Sequence, residues 1–489
     1  MNETRDDSGH LPADEFRRQA HRMVDWIADY LDGAAREYPV LAKVSPGEVS
    51  ARLPVAMPET ADDLDAIWQD FQDVVLPGVT HWNHPGFMAY FGITGSGPGI
   101  LGELLSAGLN VNAMLWRTSP SATELELRVL QWLRDALLLP GDWFGFLNDT
   151  ASISSMLGLA AAREAADPEG RRRGMAGRPD LSPLAVYASD QAHSSIAKAC
   201  VALGIGLDGY RAIAHDAEYR MDVDALREAI AADRAAGMHP LAVVATVGTT
   251  STTSVDPVPA IGEVCAEHGL WLHVDAAYAG SAALCPEHHW CLDGCERADS
   301  LVFNPHKWMF VPIDCSVLFT PHQDLFRRAF SLIPEYLTTP QTGRVVDLMD
   351  YGVQLGRRFR ALKLWWVLRA FGRQGIIDRL RRHVALAQEL AAWIDAEPLL
   401  ERLAPAPFSV VCFRVRPPQV TDAERLDRLN LEVLERINAS GEVFLSHTRL
   451  DAGIALRVAI GNLGTTAHDL ERCRQLLRQE ATSAAADAR

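Results

Sequence analysis

In "EFRRQAHRMVDWIADYLDGA", near the start of the chain, Phe16, Ala20, Met23, Val24, Ile27 and Leu31 fall on one helical stripe, while Arg17, Arg18, Asp25 and Asp32 lie mostly elsewhere. This spacing predicts an amphipathic helix whose apolar face needs a partner surface. Pro-punctuated text follows in "YPVLAKVSPGEVSARLPVAMPET", so the first portion is expected to drape over another body, a second subunit being the natural candidate. From about residue 97 to 362 short apolar runs alternate with helical segments. "LAVYAS" (184–189), "LAVVATVG" (241–248), "LWLHVDAA" (270–277), "SLVFNP" (300–305) and "CSVLFT" (315–320) read as strands, with helices at 222–236 and 257–268 among them. That alternation implies an α/β domain around a mainly parallel sheet. Beyond the apolar helix "LKLWWVLRAFG", "FSVVCFRV" and "IALRVAI" read as strands among charged helices, a smaller α+β domain. The expected division is a helical segment at 1–96, a large α/β domain at 97–362 and a small C-terminal domain at 363–489, without internal repeats.

Composition narrows the class. With 489 residues, 48% hydrophobic and 22% charged, the chain has ordinary globular proportions. A formal charge of -17 argues against a nucleic-acid partner, and the short basic run "RRRGMAGR" (171–178) reads as a solvated loop. The start carries no basic segment followed by an apolar core, and no stretch is long and charge-free enough to span a membrane. Eight cysteines without export signals point to reduced thiols and a cytoplasmic enzyme. "CPEHHWCLDGC" (285–295) holds zinc-binding residue types without paired zinc-ligand spacing, so it reads as a loop with buried thiols and no metal is expected.

The candidate chemistry starts at "FNPHKWMF" (303–310). An ammonium group among such residues reaches water, pairs with an acid, or stays unprotonated because it is bonded to something else; the third option makes Lys307 a nucleophile. Asp275 ends the strand "LWLHVD", and Lys307 follows one predicted strand later, which brings both to one sheet edge, where ligands of open α/β sheets collect. A lysine to hold an aldehyde and an aspartate for a protonated ring nitrogen are the pair that pyridoxal phosphate requires. "NDTASISSMLGLAAAREAA" (148–166) offers a phosphate cradle at a helix start, with Thr150 and Ser152 adding hydroxyls, although simple capping explains that stretch equally well. His193, in "SDQAHSSIAKA", lies at another strand-to-helix turn, where an imidazole can stack on a pyridine ring and touch a carboxylate.

These segments, with "HPGFMAYF", "SPSATELE", "VATVGTTSTTSVDP", "WLHVDAAYAGSAALCPE", "LGRRFRALKLW" and "VVCFRV", resemble the group II pyridoxal-phosphate decarboxylases, in particular the aromatic-L-amino-acid decarboxylases, over nearly the whole chain. The resemblance implies the fold type I architecture of pyridoxal-phosphate enzymes and an obligate homodimer with N-terminal helices around the partner. It implies that Lys307 is the Schiff-base lysine, Asp275 the pyridinium partner, Ala277 the small residue on one ring face and His193 the imidazole on the other. Thr150, Ala151, Ser152, Asn304 and His306 match the phosphate neighbourhood, and Thr250 a threonine near cofactor and substrate. The stretch 331–352 matches a mobile lid whose tyrosine is Tyr336, a proton donor to the substrate carbon. Related aldehyde synthases tend to carry Phe at that tyrosine or Asn at that histidine, and this chain has neither, so decarboxylation is expected over oxidative aldehyde formation.

Trp82, Tyr90, Phe91, Met114 and Gly356 match the substrate pocket, and aromatic walls suit an aromatic L-amino acid. Three departures stand out. Asn112 and Met114 replace Ile and Phe that reach in from the partner in animal relatives, Gly92 replaces a Pro, and Asp149 stands beside the phosphate segment in place of a Gly- and Ser-rich form. A softer wall at Met114 and room at Gly356 favour tryptophan or 5-hydroxytryptophan, with phenylalanine, tyrosine and DOPA as further substrates. A non-aromatic amino acid is the alternative.

Overall fold

The computed structural model describes residues 10–332 and 343–487. Among them, seven strands build a central sheet: β1 (Phe144–Asn148), β2 (Leu184–Ser189), β3 (Tyr210–Ile213), β4 (His239–Thr246), β5 (Trp271–Asp275), β6 (Ser300–Phe303) and β7 (Ser316–Thr320), in the order β1-β7-β6-β5-β4-β2-β3. Strands β3, β2, β4, β5 and β6 pair in parallel, and β7 runs antiparallel to both β6 and β1. The architecture is α/β, as expected.

Both faces of this sheet are covered. Along β2, Ala185 and Tyr187 enter one core while Leu184, Val186 and Ala188 enter the other, and β4 divides in the same way. Alternate side chains thus meet two apolar layers, which is why these strands are continuous apolar runs in the sequence. Two strands of this sheet escaped the sequence reading. β1, "FGFLN", contains Gly145, where a Cβ would lie 2.7 Å from the Phe319 ring, and β3 is a short, partly exposed edge. The helix Ala151–Ala166, expected to bury one face, is enclosed nearly all round.

A second sheet lies toward the C-terminus: β8 (Leu400–Arg402), β9 (Val410–Val415), β10 (Ser446–Leu450) and β11 (Gly453–Ala459), antiparallel throughout in the order β10-β11-β9-β8. Leu390, Ile394, Phe413, Ile437, Val458 and Leu477 form its core. The helix Arg360–Ala396 connects the two sheets and turns sharply at Gly372, whose φ of 63° suits glycine.

Near the N-terminus the helix Ala13–Asp32 leaves Phe16 61% exposed and Met23 44% exposed. The following segment is held by this chain itself: the Val40 N–H donates to Gly441 O at 2.8 Å, and Val40 packs with Phe87, Ala89 and Phe444. The basic run at 171–178 is corrected in part. Arg178 is only half-buried as a residue, but its side chain is 6% exposed, with the guanidinium spanning Asp167 at 2.8 Å and Asp180 at 2.9 Å.

Candidate functional site

The carboxyl ends of β2, β4, β5 and β6 open on one crevice. Thr246 and Asp275 are register partners at the ends of β4 and β5, and Asp275 faces Val302 of β6. Hydrogen bonds lace the strand ends together: Ala277 N–H to the side-chain Oδ1 of Asp275 at 3.1 Å, and two main-chain bonds, Asn304 N–H to Ala277 O at 3.1 Å and Lys307 N–H to Asn304 O at 2.9 Å. Asp275 is 5% exposed and Ala277 is 7% exposed. Lys307 rides on the short helix Pro305–Trp308, which Pro305 starts at its permitted first position.

Lys307 is set deep, with partial access to the crevice. Burial pushes its pKa below the ordinary lysine value; Asp275 opposes that shift and Arg457 adds to it. The shift makes the uncharged, nucleophilic amine easier to reach than in a free lysine. Its aromatic surroundings have a structural reason. Trp308 stacks on Tyr278 at 4.8 Å and donates to His383 Nδ1 at 3.0 Å, and Tyr278 stacks on Phe91 at 3.9 Å. This pile forms a wall, and Lys307 Nζ lies 4.9 Å from the Phe91 ring centre.

His193 follows β2, with its ring at the mouth of the crevice. Its Nδ1 accepts the Ser195 N–H at 3.2 Å and lies 2.8 Å from Ser195 Oγ, so the ring proton belongs on Nε2. Burial lowers its pKa, with Asp275 opposing and Lys307 assisting, which keeps the imidazole neutral. His306 is fixed similarly: Nδ1 accepts the Cys315 N–H at 2.9 Å, and burial brings its pKa to about 4. It is a neutral Nε2–H donor.

Two buried polar atoms at the crevice floor, Asn304 Oδ1 and Thr246 Oγ1, have no hydrogen-bond partner within the protein. Such atoms call for a polar ligand or water. Together with a lysine of lowered pKa and a buried carboxylate, they fit pyridoxal phosphate. At the helix Ala151–Ala166 the N–H groups of Ala151 and Ser152 have no intrahelical acceptor and suit a phosphate. Thr150 differs from expectation. Its N–H donates to Asp149 Oδ1 at 2.6 Å and its hydroxyl to the same oxygen at 3.4 Å, so Asp149 faces the neighbouring donors. Thr250 is exposed in a loop stapled by hydroxyls, including Ser251 Oγ to Thr448 Oγ1 at 2.8 Å.

The pocket residues divide into three groups. Phe91 joins the wall beside Lys307. Trp82 and Tyr90 stack on each other at 5.9 Å and form an open aromatic shelf, with Tyr90 held at a φ of 52°. Met114 lies with Asn112, whose Nδ2 is 3.5 Å from the Met114 sulfur, and Gly356 is beside them, where a Cβ would stand 3.9 Å from Asn112 Nδ2. Gly92 has a packing reason, because a Cβ there would come within 2.9 Å of the Gly461 backbone. Tyr336 lies outside the described residues. Cys285, Cys291 and Cys295 are buried thiols, and among the described residues no group of three His, Cys, Asp or Glu is arranged to hold a metal.

Arg457 on β11 was missed in the sequence. It is 3% exposed, donates from Nε to Ser251 O at 2.9 Å and from Nη1 to Tyr90 O, and leaves Nη2 without a partner. Its guanidinium carbon lies 4.7 Å from the Phe91 ring centre. The available signal was a lone arginine within the apolar strand "IALRVAI".

The model of the pyridoxal-dependent decarboxylase conserved domain matches residues 46–416. Tryptophan decarboxylase 2 of Oryza sativa subsp. japonica is 40% identical over 482 residues, covering 96% of this chain and 95% of that protein. Phenylacetaldehyde synthase of Arabidopsis thaliana is also 40% identical, over 96% of this chain and 97% of that protein. The crystal structure of Oryza sativa TDC with PLP and tryptamine superposes with a TM-score of 0.92 at 38% identity, covering 97% of this chain and 99% of that one.

Proposed function

The chain belongs to the pyridoxal-dependent decarboxylase family, and on that premise we propose that it converts an aromatic L-amino acid to the arylalkylamine and carbon dioxide. Tryptophan and 5-hydroxytryptophan are the favoured substrates, with phenylalanine, tyrosine and DOPA also accepted. The observation that carries the reading is the convergence of Lys307, Asp275 and His193 on one crevice, where burial lowers the pKa of Lys307 and of His193 and the charge of Asp275 opposes both shifts. Bound there, pyridoxal phosphate supplies an aldehyde that captures the amino group and a protonated ring that takes up the electron pair left by the departing carboxylate.

The chain's own groups do the rest. Lys307 would hold the cofactor through its amine, whose lowered pKa favours the nucleophilic form. Asp275, a buried carboxylate, holds the proton on the ring nitrogen. Ala277 leaves one ring face clear, and His193 covers the other while its Nε2–H meets the substrate carboxylate. The Nη2 of Arg457, without a partner in the protein, is available to an anion. The N–H groups of Ala151 and Ser152 and the Nε2–H of His306 hold the phosphate, with Thr150, Asn304 and Thr250 around it. Tyr336 returns a proton to the substrate Cα. Phe91, Trp82 and Tyr90 give the aromatic side chain apolar and stacking surface.

The working form in this reading is a cytoplasmic homodimer. What supports the dimer is an apolar groove of about 1000 Å³ lined by Phe16, Met23, Ile27, Trp68, Leu101 and Leu104, an exposed apolar face of the kind that marks a contact surface. In this reading Met114 reaches into the partner's crevice. What supports the compartment is eight unpaired cysteines, all buried. Oxidative aldehyde formation, suggested by the Arabidopsis relative's name, is disfavoured by the presence of Tyr336 and His193. The test is to supply aromatic amino acids to the cofactor-loaded protein and quantify amine, carbon dioxide, aldehyde and peroxide. Amine with equal carbon dioxide supports the reading, whereas aldehyde with equimolar peroxide and ammonia overturns it.

A further inference from the structure

Asp149 stands between the end of β1 and the first turn of the helix Ala151–Ala166. Its Oδ1 takes both donors of Thr150, the N–H at 2.6 Å and the hydroxyl at 3.4 Å. Its Oδ2 accepts the side-chain amide of Gln354 at 3.1 Å, two residues before Gly356. Arg360 also feels the Asp149 charge, but its guanidinium is committed to Asp314 through bonds of 2.7 and 3.2 Å. An arriving phosphate therefore finds the N–H groups of Ala151 and Ser152 free, Thr150 already engaged, and a carboxylate beside it. Like charges side by side repel, and among the described residues no cation forms an ion pair with Asp149 to cancel the effect. Gln354 is the group that holds the carboxylate to one side.

Resting on the cofactor reading above, we propose that Asp149 is a positioning residue that weakens the grip on the cofactor phosphate, and that its bond to Gln354 limits the weakening by restraining the carboxylate. Cofactor affinity is thereby tied to the chain segment that carries Gly356. Replacing Asp149 by Asn keeps an acceptor for the Thr150 N–H and removes the charge, so the helix start is preserved while the repulsion is lost.

The experiment is equilibrium dialysis of the full-length protein, freed of cofactor, against graded pyridoxal phosphate and, in parallel, pyridoxal, which lacks the phosphate; bound cofactor is read from its visible absorption. Asp149→Asn is expected to tighten pyridoxal phosphate by about tenfold or more and to leave pyridoxal within about twofold, with the difference narrowing at high salt. Gln354→Ala is expected to weaken pyridoxal phosphate several-fold when Asp149 is present and to have no effect in the Asp149→Asn background. Equal tightening of both compounds, or unchanged or weaker binding of pyridoxal phosphate in Asp149→Asn, overturns the inference while leaving the cofactor reading intact. No absorption change with either compound overturns the cofactor reading and this inference with it.

Discussion

The Lys307 amine and the Arg457 guanidinium lie over the same ring: Nζ is 4.9 Å and the guanidinium carbon 4.7 Å from the centre of Phe91. One comes from the turn after β6 and the other from the second sheet, so the reactivity of the lysine depends on the two sheets being docked. Burial first, and then Arg457, lower the Lys307 pKa, while Asp275 raises it. Arg457→Met is therefore expected to raise the pH at which Lys307 loses its proton, and Asp275→Asn to lower it. Arg457→Lys, which keeps the charge, is expected to shift it less. The pH dependence of the rate at which Lys307 captures pyridoxal measures this. Shifts in the opposite directions would show that the two charges do not set the lysine's state.

Arg357 ties the end of β1 to the helix Pro120–Ala136. Its Nη2 donates to Glu126 Oε1 and to Leu147 O, both at 2.7 Å, and Glu126 Oε1 in turn accepts the Leu147 N–H at 2.8 Å. Both partners are buried, at 7% and 2% side-chain exposure. Glu126→Ala leaves an uncompensated guanidinium and is expected to cost about 3–5 kcal/mol in urea unfolding. It is also expected to loosen the residues just beyond β1, seen as weaker cofactor binding. A loss under about 1 kcal/mol would mean that solvent reaches the pair.

His215 touches two carboxylates at once, with Nδ1 2.8 Å from Asp190 and Nε2 3.2 Å from Asp451. Only the doubly protonated ring can donate to both. Burial alone lowers its pKa, but the bonds and charges of Asp190 and Asp451 outweigh burial and raise it; Tyr219 stacks on the ring at 5.0 Å. A raised folded pKa means stability that is complete below the unfolded value of ~6.5 and lost as pH rises through the folded value. The stability difference between this protein and His215→Asn is expected to be about 1 kcal/mol or less near pH ~6 and to shrink by pH ~9. Unfolding curves at both pH values check this, and a difference that grew with pH would contradict it.

Met23 and Phe16 lie on the exposed stripe of the first helix. Met23→Glu is expected to shift sedimentation from dimer toward monomer and to reduce decarboxylation in parallel, because a charge in a buried apolar contact is costly. A dimer of unchanged affinity would place the interface elsewhere.

Much of this arrangement was legible in the sequence because the buried strands are two-faced apolar runs and the helices carry clear periodicity. Asp275, His193 and Lys307 each follow such a strand, so topology alone brings them to one edge. Arg457 was not legible as a site residue, since its proximity to Lys307 depends on how the second sheet docks, a contact between residues 150 positions apart. The role of Gly92 was hidden for the same reason, because its Cβ is forbidden by the backbone of Gly461. Thr150 was legible as a polar helix start, but that its donors face Asp149 follows from side-chain directions that spacing does not specify.

The most direct measurement is the product balance from carboxyl-labelled L-tryptophan with the cofactor-loaded protein and with Lys307→Ala, recorded together with the visible absorption of each. Equal amounts of labelled carbon dioxide and tryptamine, with both turnover and the absorption band lost in Lys307→Ala, are expected. Amine formation that survives loss of the lysine, or no amine from any aromatic amino acid while an acidic one is consumed, would contradict the function assigned to Lys307 and its pocket.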